Sequence, residues 1–291
     1  MVEALGLAGM AELPAVIVLG QRAGPSTGLA TYTAQADLEF AIHAGHGGFP
    51  RLVLAPGDAE EARTWIRAAM DLAWRYQMPA IFLPDRIICE GMFSLDPAAT
   101  PPALAGTGPV MADPGTHPYF RYALTDDGIS PLRFPPAKGE VIRVNSHVHD
   151  PDGITTEDPG VTRAMAEKRQ RKRVGLAGEL EGMHPVKVSG DPDGVTAVLC
   201  WGSCKGVCSE VGEAMGLRVV QPVALWPFPE KAFSRAMDGV DRFFGVEANE
   251  TGQLARLVRG LGYRASGMVL KYDGRPVTVD ELALELGRVA A

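Results

Sequence analysis

Ala15-Val16-Ile17-Val18-Leu19-Gly20-Gln21-Arg22-Ala23-Gly24-Pro25-Ser26-Thr27-Gly28 decides how this chain folds, because it joins an unbroken apolar run to a glycine-rich turn. A strand that is apolar at every position is buried on both faces, the mark of a parallel sheet covered on both sides. Arg51 to Ala55 and Ala80 to Leu83 are two more such runs. Between them Asp58 can cap a helix with Glu61 three residues on, and Ala62, Trp65, Ile66, Ala69, Leu72 and Ala73 share one face at helical spacing. Strands alternating with helices from Ala15 to Asp85 predict a parallel sheet with crossover helices. Upstream, Val2 to Ala11 is small and apolar enough for the middle of a packed helix, so the start reads as internal to a domain.

From Pro84 to about Asp193 the rhythm fails. Pro97-Ala98-Ala99-Thr100-Pro101-Pro102, Asp113-Pro114-Gly115 and Phe134-Pro135-Pro136 punctuate a long connector. Within it, Pro159 to Val174 carries Arg163, Lys168, Arg169, Arg171, Lys172 and Arg173 in a helix-compatible stretch, expected as a solvated face or a docking surface for an acidic partner. A second α/β block is expected from Val195, with strands at 195–201, 217–225 and 243–247 and helices at 206–215, 230–237 and 252–259. The expected division is therefore 1–107, a connector over 108–190, and 191–291.

Composition excludes several classes. The chain has 291 residues, 46% hydrophobic and 22% charged, which rules out disorder and collagen-like repeats. A formal charge of −7 provides no basic field for nucleic acid. Met1 to Leu13 holds no basic residue to begin a secretory signal, and no apolar run is long enough to span a bilayer, so a cytoplasmic protein without a membrane partner is expected. Four cysteines are too few for a disulfide scaffold.

Ligands of open α/β sheets bind beyond the carboxyl ends of strands, where this chain places Arg22, Ser26, Thr27 and three glycines. Arg22 offers a planar fork of donors matched to a carboxylate, and the hydroxyls of Ser26 and Thr27 can add hydrogen bonds. The alternative is a tight turn with a solvated Arg22. The same residues form a Gly-x-Ser-x-Gly sequence, as in serine hydrolases, but Leu29 to Thr33 is poor material for the helix that should follow Ser26. Cys204 sits between a strand and a helix like a glutaminase nucleophile, yet no histidine follows it, so a buried thiol is expected. Cys200, Cys204 and Cys208, with remote Cys89, make a poor zinc or iron–sulfur set. His147, His149 and Asp150 could touch a metal from an extended segment, but no further ligand is recognisable. His43 and His46 are read as packing or surface residues. No metal site is assigned.

Taken together, these segments resemble the alpha subunit of the 2-oxoacid:ferredoxin oxidoreductases, most closely the 2-oxoglutarate type. The resemblance rests on Gln21-Arg22-Ala23-Gly24-Pro25-Ser26-Thr27-Gly28-Leu29, Gln35-Ala36-Asp37-Leu38, His149-Asp150 with Asp152-Gly153, Thr156-Glu157-Asp158-Pro159 and Lys168-Arg169. Trp201-Gly202-Ser203, Pro227-Phe228-Pro229, Glu247-Ala248-Asn249 and Gly252-Gln253-Leu254 complete it, in family order.

The resemblance implies an α/β fold: the carboxyl half of a domain that holds the aminopyrimidine of thiamine diphosphate, followed by a transketolase carboxyl-terminal-like domain. It implies that a beta subunit supplies the diphosphate and Mg2+ site and an iron–sulfur cluster, and that the complex oxidatively decarboxylates a 2-oxoacid, reduces ferredoxin and delivers the acyl group to coenzyme A. Arg22 then holds the substrate carboxylate, with Thr27 and Ser26 beside it. Val148 departs from the acidic residue expected before His149-Asp150. The family's Tyr-Pro-Ile-Thr-Pro-Ser-Ser segment and the glutamate that activates thiamine do not occur in these 291 residues, so no catalytic residue is assigned and the chain alone is expected to be inactive. The alternatives are a non-catalytic assembly fragment that binds partner subunits and a serine hydrolase using Ser26.

Overall fold

The computed structural model describes residues 1–95, 108–137 and 139–290. The apolar opening forms helix α1 (Val2–Met10), which leads into β1 (Ala15–Val18), α2 (Leu38–His43), β2 (Leu52–Leu54), α3 (Ala59–Tyr76), β3 (Pro79–Phe82) and the short α4 (Arg86–Glu90). β1 and β2 both pair in parallel with β3, as the alternation of apolar runs predicts. β2 and β3 are apolar throughout because both their faces are covered; β1, expected to be buried on both faces, is instead the edge strand, with Ala15 to Ile17 half-buried and Val18 59% exposed. Leu52, Leu54, Ala80 and Phe82 pack under α3, while Val53, Ala55, Ile81 and Leu83 face an inner core. Asp58 caps α3 by accepting the Glu61 N–H at 2.8 Å, and the Glu61 carboxylate reaches back to the Gly57 N–H at 2.7 Å.

The connector contains more structure than its prolines suggest. Its Pro97 to Pro102 stretch and the expected boundary at 107 lie outside the described residues. Helix α5 (Pro159–Glu181) runs for 23 residues from an Asp58-like cap, Asp158, whose carboxylate accepts the Val161 N–H at 2.8 Å. The basic stretch on α5 is not wholly a solvated face: Lys168 and Lys172 are fully buried and both grip Glu12, which follows α1. Local periodicity could not show this, because the counter-charge lies at the other end of the chain.

Strand β4 (Val186–Gly190) also falls in the expected connector. β5 (Thr196–Cys200), α6 (Cys204–Met215), β6 (Arg218–Pro222), β7 (Ala224–Trp226), α7 (Glu230–Ala236), β8 (Arg242–Glu247), α8 (Gln253–Arg259), β9 (Gly267–Leu270) and α9 (Val279–Ala290) follow. The second sheet has the order β4-β6-β5-β8-β9, with β4 antiparallel to β6 and the other pairs parallel. The run 217–225, expected as one strand, is two. β6 stays in the second sheet, whereas β7 crosses to pair antiparallel with β2 in the first, giving the order β1-β3-β2-β7. Val223 is the pivot: its N–H donates to the Pro185 carbonyl while its own carbonyl accepts the Ala55 N–H, each at 2.8 Å.

The two sheets thus share material. The inner core joins Val53, Ala55, Ile81 and Leu83 of the first sheet to Ala197, Leu199, Trp201, Val220 and Phe243 around the second. α6 and α9 cover the opposite face of the second sheet, over Val198, Cys200, Val219, Phe244 and Val246. The molecule is α/β with mostly parallel sheets, and among the described residues no helix is long and apolar enough to cross a membrane.

Candidate functional site

The segment after β1 leaves the sheet at its carboxyl end as a closed loop. Its closure is a hydrogen bond from the Leu29 N–H to the Ala23 carbonyl at 2.9 Å. Gly28 has φ +46°, and a Cβ there would lie 2.1 Å from the Ala23 oxygen, so the turn needs glycine at this position. Arg22, Ser26 and Thr27, the three candidate binding residues, are all exposed on this loop. None of their side chains has a hydrogen-bonding or ionic partner among the described residues, so an unsatisfied cationic fork and two hydroxyls are presented beyond the strand end. Ser26 therefore has no histidine to activate it.

The next residue inward is fixed. Gln21 is buried, donates from Nε2 to the Leu83 carbonyl at 3.3 Å and accepts the Asp37 N–H at 3.2 Å, while its own N–H donates to the Pro84 carbonyl. Beneath it lies a polar layer where the two sheets meet. Gln35 donates from Nε2 to the Trp201 carbonyl at 2.7 Å and to Asp85 Oδ2 at 3.3 Å, and its Oε1 accepts the Ala248 N–H at 3.0 Å. Asp85 Oδ2 also accepts the Ser203 N–H at 2.9 Å, whereas buried Oδ1 has no partner. Glu247 accepts four hydrogen bonds, from Trp201 Nε1, Asn249 Nδ2 and the N–H groups of Leu254 and Ala255, and so neutralises the amino end of α8. Gln253 then ties α8 to the start of α2 and the residue pair before it, donating to the Ala36 carbonyl and accepting the Glu39 N–H.

Gln21, Gln35, Trp201, Glu247, Asn249 and Gln253 all belong to the segments that carry the family resemblance, but the sequence assigned them no role. Asp85 was outside those segments altogether; its position directly after the third apolar run, at the same end of the sheet as Arg22, was the available signal.

The remaining candidates are structural. Cys204 is buried and its thiol donates to Gln35 Oε1 at 3.4 Å; burial pushes the thiols of Cys204 and Cys208 well above their ordinary range, against thiolate chemistry. The ring of His149 stacks on Tyr122 at 3.8 Å between centroids, and its Nδ1 lies 2.7 Å from the His147 carbonyl. Burial lowers the pKa of His149, and its Nε2 is buried without a partner. Asp150 accepts the N–H groups of Asp152 and Ile154, so it builds a turn. Among the described residues no group of three or more His, Cys, Asp or Glu side chains could hold a metal ion.

Residues 1–167 match the family described as "Pyruvate flavodoxin/ferredoxin oxidoreductase, thiamine diP-bdg". Over 294 residues and 97% of its length, the chain is 35% identical to the 2-oxoacid:ferredoxin oxidoreductase subunit alpha of Saccharolobus solfataricus, covering 46% of that protein. It is 31% identical, over 98% of its length, to the 2-oxoglutarate oxidoreductase subunit KorA of Mycobacterium tuberculosis, of which it covers 43%. The chain spans about half the length of the curated relatives it matches. A solved 2-oxoglutarate:ferredoxin oxidoreductase from Magnetococcus marinus, with 2-oxoglutarate, coenzyme A and succinyl-CoA bound, superposes on 99% of this chain and 50% of its own with a TM-score of 0.86 and 28% identity.

Proposed function

The chain belongs to the pyruvate flavodoxin/ferredoxin oxidoreductase family, among the 2-oxoacid:ferredoxin oxidoreductase alpha subunits, and from that premise we propose that its Arg22 loop is the substrate-carboxylate wall of such an enzyme. The proposed reaction is oxidative decarboxylation of a 2-oxoacid such as 2-oxoglutarate to an acyl-CoA and CO2, with ferredoxin as electron acceptor. The observation that carries it is the unpaired, exposed guanidinium of Arg22 beyond the end of a parallel strand, with Ser26 and Thr27 four and five residues on. A carboxylate can engage Arg22 through two parallel N–H donors, which fixes orientation as well as charge. Thr27 and Ser26 add hydroxyl donors on the same loop.

Thiamine diphosphate, when bound, supplies the carbanion and electron sink that decarboxylation requires. The residues present fit one side of such a site only: Arg22, Ser26 and Thr27 are exposed and do not enclose a cofactor. A beta subunit holding the diphosphate, Mg2+ and an iron–sulfur cluster is part of the proposal, as are coenzyme A as cosubstrate, ferredoxin as partner, a cytoplasmic setting, and inactivity of this chain by itself.

In the assembled complex, Arg22→Ala is expected to lower kcat/KM for 2-oxoglutarate about 10- to 100-fold, corresponding to loss of a charge-assisted hydrogen bond of about 1.5–3 kcal/mol. Thiamine diphosphate binding stays intact, and Arg22→Lys recovers only part of the loss. An unchanged kcat/KM overturns the assignment.

A further inference from the structure

The loop after α2 and the outer face of α5 enclose a cleft of about 280 Å3 that the reading above does not use. Arg51, Arg169 and Arg173 line it together with His43, and no acidic side chain does. Arg51 forms its buried floor, only 4% exposed. Its guanidinium lies 4.2 Å from the Phe49 ring centroid and donates from Nη1 to the carbonyls of Ala41 and Ala44, while Nε and Nη2 have no acceptor among the described residues. A buried guanidinium without a carboxylate is costly, and burial does lower the Arg51 pKa. Among the described residues Arg169 and Arg173 likewise make no ion pair or hydrogen bond, although Arg169 feels the charge of Glu12 at longer range. His43 adds a further ring nitrogen, since its Nδ1 already pairs with the Glu39 carbonyl at 2.9 Å.

We propose that this cleft is a second anion site, separate from the Arg22 loop, which takes the phosphate groups of a phosphorylated ligand on the forks of Arg51, Arg169 and Arg173. A multivalent phosphate matches converging guanidinium groups better than a single carboxylate, because it offers acceptors in several directions at once. Gly47 and Gly48 line the cleft with backbone alone. The phosphates can come from a nucleotide-type ligand such as coenzyme A or from a free inorganic anion. Arg22 does not line this cleft, so the proposal stands or falls independently of the substrate-site reading.

Titration calorimetry of the purified chain with inorganic pyrophosphate, at low salt, tests it. Saturable binding is expected, weakened about tenfold or more in Arg169→Ala and in Arg173→Ala and partly restored in Arg169→Lys, as loss of a charge-assisted contact requires. Arg173 is exposed on α5 and avoids the folding risk of altering Arg51, while for half-buried Arg169, which feels the charge of Glu12, an unchanged Tm accompanies the binding measurement. Coenzyme A binding about tenfold tighter than pyrophosphate supports a nucleotide source, and equal affinity supports a free anion. Absence of saturable binding, or binding unchanged in both alanine variants, overturns the site. Saturable binding of polyglutamate that pyrophosphate does not displace overturns it in favour of an acidic protein partner.

Discussion

Arg22 and Gln21 are neighbours with opposite fates, and the contrast explains how the candidate site is built. Gln21 spends both ends of its amide inside the protein, while Arg22 is exposed with no partner among the described residues. Rigidity beneath and availability above are what a substrate clamp needs. The rigid part depends on Gln35, which reaches Asp85, Trp201 and Ala248 at once. Gln35→Ala leaves the Trp201 carbonyl and the Ala248 N–H buried without this partner, and each such group costs about 1–3 kcal/mol. Chemical denaturation is expected to show a loss of about 3 kcal/mol; a loss below 0.5 kcal/mol contradicts the role given to this layer. The turn that carries Arg22 was legible in the sequence because a glycine-rich turn after an apolar strand is a local pattern. The layer under it was not: Gln35 and Trp201 are 166 positions apart, and no spacing rule joins them.

Element by element, the helices with one buried apolar face and the strands buried on both faces were legible, as α3, β2 and β3 show, whereas β1 has the same apolar run but lies at the sheet edge. Those whose partners are distant were not. α5 reads as a charged surface helix until Glu12 is placed between Lys168 and Lys172. Burial by itself raises the Glu12 carboxyl, but attraction to Lys172 and Lys168 and their hydrogen bonds outweigh it and bring its pKa from 4.5 to about 2. Burial lowers Lys168 to about 7 despite the Glu12 charge, and it lowers Lys172 as well. The sign for Glu12 follows from linkage. Its folded pKa is depressed, so its contribution is complete above the unfolded value of 4.5 and is withdrawn as pH falls toward 2. Glu12→Gln is expected to cost about 3–5 kcal/mol at pH 7, because the buried Lys168 and Lys172 lose the carboxylate that both hold. It is also expected to flatten the fall in Tm between pH 5 and pH 3. A variant whose Tm tracks the wild type over that range contradicts the triad's contribution.

For the molecule as a whole, apolar patterning suggests a division into 1–107, 108–190 and 191–291, and we propose that these parts nevertheless unfold together. β7 leaves the last part to complete the first sheet, β4 joins the second sheet from the connector, and one apolar cluster is shared between the sheets. Scanning calorimetry is expected to give a single transition; two resolved transitions contradict this. The α/β class and the two-sheet plan were legible because they follow from apolar patterning. The exchange of β7 was not, since a single residue, Val223, turns one apolar run into strands of two sheets. The central claim is that the loop built on this scaffold receives a substrate carboxylate once the partner subunit is in place. A structure of the assembled complex with a bound 2-oxoacid tests it most directly. The account predicts a carboxylate oxygen within about 3.2 Å of the Arg22 guanidinium, with the Thr27 hydroxyl beside it; a carboxylate held elsewhere, with Arg22 left in solvent, would contradict it.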